Sequence, residues 1–336
     1  MQSEYRLLQN LTTVVCACVL ACVSTLSHAA APVTLGTVTW IGYAPFYVAE
    51  ALDTYKKYGI TVKMVNFTDN SIMPGAVQGG TIDGALLTYD QVIGATAKNW
   101  PLKVVLPIDY SNGGDAITSQ VGITSVKDIK GKKVAYNPLS PSDFLLAYAL
   151  KTNGLSEADI TPVHMTPEAV AGAMASGAVE VGVTYEPNVS AIVAAGGGDK
   201  YHVLYSSRKA PGLITDVLVF RADYIKKHGK DVTAVLKGYL DAMDYLAKEP
   251  DKAAAIVAKA MGITIEDVKA QLNTVHNPAL TEMPASFVKS DDIASFYTSG
   301  DVIGNILLAK DEIKKKPDIA ATLDDSFIKA LSGAAK

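Results

Sequence analysis

The strongest constraint on this chain is a recurring order of three pieces: a short strand-like run, a polar or aromatic turn, and an apolar-faced helical stretch. The first instance is a strand-like run over 34–39 followed by Trp40-Ile41-Gly42-Tyr43-Ala44-Pro45-Phe46. Pro45 suits the first turn of a helix, where its missing N–H leaves no bond unmade. The spacing then predicts a helix with Val48, Ala51, Leu52 and Tyr55 on one face and an Asp53–Lys57 pair on the other, stopping at Gly59. The order repeats with strands over 60–65, 81–87 and 102–108 and helices over 72–78 and 91–98. After a glycine-rich break at 109–115, strands over 133–136, 161–165, 179–183, 201–205 and 213–220 alternate with helices over 144–151, 167–176 and 188–195.

From residue 222 the text is nearly all helix. Val232, Val235, Leu236, Tyr239, Leu240, Met243 and Leu246 form one apolar stripe. Thr264 and Asp267 have capping-box spacing, and further helices are expected over 291–297, 302–315 and 326–331. Strands alternating with helices imply an α/β fold of layered, mostly parallel sheets. Two such blocks suggest two lobes with a helical C-terminal tail: 30–115 in the first lobe, 116–214 in the second, and 215–336 returning to the first. Ligands in open α/β sheets sit at the carboxyl ends of strands, so facing lobes would form a cleft able to close.

The turns at those strand ends carry Trp40, Tyr43, Phe46, Asp69, Asn70, Ser71, Thr88, Tyr89, Asp109, Ser140, Ser142, Tyr185 and Glu186, with no Lys or Arg among them. Aromatic rings, hydroxyls and carboxylates suit a small polar ligand held by stacking and hydrogen bonds. Each residue also has a plainer reading: helix caps for Ser71, Thr88 and Ser142, turn stabilisers for Asp109 and Asp115, a dipole partner for Glu186, and ordinary core for the aromatics. An ionised anion usually recruits Arg or Lys, although helix N-termini can hold one without them. The carboxylates therefore tilt the expected ligand toward an amine, an amidine or an N–H-rich ring. Arg208 and Lys209 sit near the second crossover, within reach of the cleft.

The first 29 residues read as a secretory signal peptide. Residues 11–26 are mostly apolar, and Ser27 and Ala29 place small residues before the cleavage point. Cys16, Cys18 and Cys22 all lie there, so the mature chain has no thiol. Val19-Leu20-Ala21-Cys22 also resembles a lipoprotein box, which would retain a lipid on Cys22. Either way the expected location is the periplasm. A net charge of −4 argues against nucleic-acid binding. His164, His202, His228 and His276 lack metal-ligand spacing, and no nucleophile elbow or P-loop is present, so no catalytic residue, metal or cofactor is expected.

Four stretches carry a family resemblance: Trp40-x-Gly42-Tyr43-x-Pro45-Phe46-Tyr47-Val48-Ala49, Tyr58-Gly59-Ile60-Thr61-Val62, Ser140-Pro141-Ser142-Asp143-Phe144 and Tyr185-Glu186-Pro187. The chain resembles the periplasmic solute-binding proteins of the nitrate/sulfonate/taurine class of ABC importers, whose relatives also bind or make the thiamine pyrimidine precursor. The resemblance implies a type II periplasmic-binding fold with crossovers near 113–118 and 212–217. It implies a ligand facing the turns named above together with Asp216, and delivery to a membrane permease and its ATPase by a monomeric receptor. The poverty of basic residues departs from what a sulfonate or nitrate binder implies, which bears on the solute and not on the fold. An enzyme of the thiamine-pyrimidine-synthase type is the alternative, but its cysteine- and histidine-using chemistry has no counterpart in the mature chain. A free receptor could also serve a sensing role.

Overall fold

The computed structural model describes residues 31–197 and 199–333. The expected signal peptide and Cys22 lie outside the described residues. The chain runs β1 (Val33–Thr37), α1 (Ala44–Ala51), β2 (Val62–Asn66), α2 (Met73–Gln78), β3 (Gly84–Thr88), α3 (Tyr89–Ala97) and β4 (Leu102–Ser111). It continues through β5 (Asp115–Gln120), β6 (Lys133–Tyr136), α4 (Pro141–Thr152), β7 (Thr161–His164), α5 (Pro167–Ala175), β8 (Val181–Tyr185), α6 (Asn188–Ala195) and β9 (Tyr201–Ser206). Then follow β10 (Thr215–Arg221), α7 (Ala222–Lys248, broken at His228), α8 (Pro250–Met261), α9 (Ile265–Leu272), β11 (Val275–His276), α10 (Met283–Ser286), α11 (Phe296–Ala309) and α12 (Ser326–Gly333).

Two sheets result, ordered β11-β4-β10-β3-β1-β2 and β7-β6-β8-β5-β9, and each is the floor of one lobe. The chain passes between them twice, from β4 to β5 and from β9 to β10. Neither sheet is mostly parallel, contrary to the expectation from alternation. β10 is antiparallel to both β3 and β4, and β5 is antiparallel to both β8 and β9. These are the strands that enter from the other lobe. A chain arriving through the cleft face runs away from it, opposite to neighbours that run toward it. The hydrophobic alternation of a strand carries no record of that direction.

Local corrections have equally local causes. Strand β4 continues through Asp109 to Ser111, and the break is only the turn 112–114. The next strand, β5, begins at Asp115, where the sequence showed only a glycine-rich break. The first helix unwinds at Leu52, and Asp53 adopts a left-handed conformation (φ 53°). That puts Asp53 against Lys56 and sends Lys57 to Asp241, so no Asp53–Lys57 pair forms. Leu52 is consequently exposed while Val48 and Tyr55 are buried. Residues 291–295 are irregular, and the helix expected over 302–315 instead spans α11. The Thr264–Asp267 capping box is present as read.

The core is one continuous cluster under both sheets, with a smaller cluster of Val170, Met174, Val179, Ile192 and Tyr201 in the second lobe. Helix α1 packs against α7 and α8, where Phe46 meets Tyr239 at 4.9 Å between ring centroids. The Tyr239 hydroxyl donates to the Ile108 carbonyl, tying that helix layer to β4. Because Phe46 is fully buried here, Phe46→Ala is expected to cost about 3–5 kcal/mol in chemical denaturation. An unchanged denaturation midpoint would show that its ring does not support this layer.

Candidate functional site

Trp40 is extended (φ −148°, ψ 136°) and precedes a short 3-10 turn, Ile41–Tyr43, that leads into α1. Its backbone N–H donates to the Tyr47 hydroxyl at 3.1 Å. Its indole N–H reaches both oxygens of Asp109, at 3.2 and 3.3 Å. Two glycines make room for the ring. A Cβ on Gly42 would lie 2.4 Å from the indole nitrogen, and one on Gly114 would lie 2.5 Å from the far ring edge. Any side chain at either position would displace the indole. From the second lobe Tyr185 meets it edge-on, with centroids 5.8 Å apart and planes at 85°.

Around this contact the strand ends of both lobes converge. Trp40, Tyr43, Asn70, Thr88 and Asp216 from the first lobe face Asp115, Pro141 and Tyr185 of the second. The enclosed space is only about 20 Å³, room for little more than a water molecule. Asn137 bridges the lobes beside it, donating to Asp69 at 2.9 Å and to Asn70 at 3.3 Å. Gln91 joins its own helix to the neighbouring turn: its amide donates to the Asn70 carbonyl while its oxygen caps Thr88.

Strand register explains the charge of the site. β10 places Asp216 beside Thr88 of β3 on one side and beside Asp109 of β4 on the other. β5 places Asp115 beside Tyr185 of β8. All three aspartates are buried, and among the described residues none forms an ion pair. Like charges directly opposite in a sheet repel, and burial penalises each ionised form. Burial, followed by the neighbouring Asp109, raises the Asp216 carboxyl well above its ordinary value even though the Tyr43 hydroxyl donates to it at 2.5 Å. Burial likewise raises Asp109, and pushes Asp115 up to about 7. Two further polar atoms, the hydroxyls of Tyr185 and Ser142, are buried without a hydrogen-bond partner. Unpaired buried groups cost stability, so the site holds unspent capacity for charge and hydrogen bonding.

The remaining sequence-derived candidates have local partners. Asp69 caps the turn of Asn70–Ile72, accepting from the backbone and hydroxyl of Ser71. Ser140 donates to the Asn137 carbonyl at the start of α4. Glu186 accepts from the backbone and hydroxyl of Ser190. Phe46 and Tyr89 face the helix layer and not the cleft; Tyr89 packs on Phe296 at 4.7 Å and bonds Thr322 at 2.8 Å. Asp109 lies behind Trp40 and also lines a second cavity of about 180 Å³ with Tyr110, His276 and Glu282. Sequence reasoning passed over Asp115 as a turn residue and did not single out Asn137 or Gln91. Gln91 had a signal, since Thr88 precedes it by capping-box spacing. Among the described residues no group of three His, Cys, Asp or Glu is placed to hold a metal, and no helix is long and apolar enough to cross a membrane.

Two α/β lobes joined by two strand crossovers, with their polar turns facing one another, define the periplasmic-binding-protein fold. Residues 40–253 match the family described as NMT1/THI5 like, and the chain belongs to that family. It is 27% identical over 213 residues to the taurine-binding periplasmic protein of Escherichia coli K12, covering 62% of this chain and 64% of that one. It is 30% identical over 164 residues to a putative aliphatic sulfonates-binding protein of the same organism, covering 49% of this chain and 50% of that one. The chain thus spans between half and two thirds of these relatives' length. The crystal structure of the periplasmic aliphatic sulphonate binding protein of Escherichia coli superposes with a TM-score of 0.69 at 23% identity, covering 87% of this chain and 97% of that one.

The carboxylate environment predicts an unusual response of stability to pH. Folded Asp115 keeps its proton to about pH 7, whereas an unfolded aspartate loses it near pH 4. Between those values the folded state binds more protons, so stability falls as pH rises, and the loss is complete above pH 7. Asp115→Asn escapes this loss. It should stabilise the solute-free protein by a few kcal/mol at pH 8, at about 1.4 kcal/mol per pH unit of displaced titration, with the gain shrinking toward pH 4. Denaturation at a series of pH values checks this; a gain that does not vary with pH contradicts it.

Proposed function

We propose that this protein is the solute-capturing component of an ABC importer, acting outside the inner membrane and passing its solute to a permease without altering it. The observation that carries the solute class is a pair of buried carboxylates without a counter-ion, Asp115 and Asp216, lining the cavity where the lobes meet, with Asp109 beside Asp216 behind the Trp40 ring. The solute is a small polar molecule bearing an amine, an amidine or an N–H-rich ring. A cation between Asp115 and Asp216 removes their mutual repulsion and replaces the protons they otherwise hold. The Trp40 and Tyr185 rings suit such a group as well, since aromatic faces attract cations. Thr88 and Pro141 also bring the starts of α3 and α4 to the cavity. Helix N-termini favour an oxyanion, so a sulfonate on the same molecule fits this reading. Relatives named for taurine and sulfonates support the class without fixing the compound. The small enclosed volume means that the lobes must part to admit any organic solute.

A thermal-shift panel of taurine, alkyl sulfonates, nitrate, amidines, ureas and pyrimidines tests the reading. Members with a cationic or N–H-rich nitrogen should stabilise the protein, by about 2.7 kcal/mol at a hundredfold excess over Kd, with no product formed. Their affinity should rise with pH through about 7, as Asp115 gives up its proton. Stabilisation by nitrate or by alkyl sulfonates lacking nitrogen, with none from the cations, would contradict the proposal.

A further inference from the structure

The C-terminal tail packs on the first lobe, returning to β4 at Leu323 and through α12, but one of its side chains reaches the second lobe. Helix α11 begins with Phe296, packed on Tyr89 of α3, and Gly300 sits close under the same Tyr89 ring. Just past its last turn, Lys310 leaves the first lobe. Its ammonium pairs with Asp143 at the start of α4 and with Glu157 in the turn after α4, and with its own neighbour Glu312 at 3.1 Å. The pairing is not a surface incident: the Lys310 side chain is 13% exposed and that of Asp143 is 4%.

The two oxygens of Asp143 divide their work. One accepts from the Leu139 backbone N–H at 2.9 Å and fixes the turn that carries Pro141 into the cleft wall. The other takes Lys310. Lys310 therefore reaches the same five-residue segment that presents Pro141 and the unpartnered Ser142 hydroxyl. The other direct polar bridge described above, from Asn137 to Asp69 and Asn70, lies just before that segment. With one carboxylate largely buried, separating the lobes strips Asp143 of its counter-ion, and breaking a buried pair is far more costly than losing an exposed one.

We infer that Lys310 is an interlobe clasp: it positions the start of α4 against the cleft and biases the lobes toward closure. The clasp acts from outside the solute pocket, so it raises the closed population for whatever solute the cleft takes. It does not depend on the chemistry of that solute, and a wrong assignment of the solute leaves it standing.

The test uses solute-free protein, small-angle X-ray scattering and amide hydrogen exchange. Lys310→Met should increase the radius of gyration and speed exchange at 139–143 by about tenfold, the factor for a closed state weakened by 1.4 kcal/mol. Lys310→Arg, which keeps the charge, should restore both. Glu157→Gln removes one arm at a partly exposed position; it should shift both readouts in the same direction by less, and it carries the test if Lys310→Met does not fold. Variants that melt earlier yet keep wild-type scattering and wild-type exchange at 139–143 would reduce Lys310 to a packing contact and overturn the inference.

Discussion

The feature on which the rest of the structure turns is the mutual placement of Asp109 and Asp216 across neighbouring strands, with Asp115 of the other sheet near enough for its charge to act on both. Three buried carboxylates without a cation are a strained arrangement, since burial alone disfavours each charge and proximity adds to it. Protein groups offset only part of this cost. Trp40 donates to Asp109, Tyr43 donates to Asp216, and the Ser111 hydroxyl lies close to Asp115. The part left uncovered raises all three carboxyls above their ordinary value. Under the proposed function, such a site at the end of the sheets would gain from an incoming positive group, in keeping with a described cavity lining that holds no Lys or Arg.

The scaffold makes that placement inevitable once the registers are set. Antiparallel insertion of β10 between β3 and β4 fixes Asp216 next to Thr88 and Asp109. Insertion of β5 next to β8 fixes Asp115 next to Tyr185. Gly42 and Gly114 then leave a slot for the Trp40 indole, which touches both lobes through Asp109 and Tyr185. The strands that cross between lobes are therefore the same strands that carry the charge.

Much of this architecture was legible in the sequence, because strand and helix periods are local properties. The alternation located most elements to within a few residues, and the strand-end turns named Trp40, Tyr43, Asn70, Thr88 and Tyr185, which line the cavity. Asp216 came only from the family resemblance, since nothing local marks one strand residue as facing a cleft. Strand direction was not legible, for the reason that β5 and β10 illustrate. Phe46 and Tyr89 looked like turn aromatics because each lies at a helix start, but their rings point to the helix layer. Lys310 left no trace at all. It meets Asp143 from 167 positions away, and a lone lysine after a helix is unremarkable in sequence.

The carboxyls of Asp109, Asp115 and Asp216 are raised above the ordinary aspartate range. Carbon-13 NMR of the aspartate carboxyl groups, followed from pH 3 to 9 in solute-free protein, measures this site by site. Asp115 is expected to titrate near 7, and Asp109 and Asp216 well above the ordinary carboxylate range. Three midpoints near 4, the ordinary aspartate value, would contradict it.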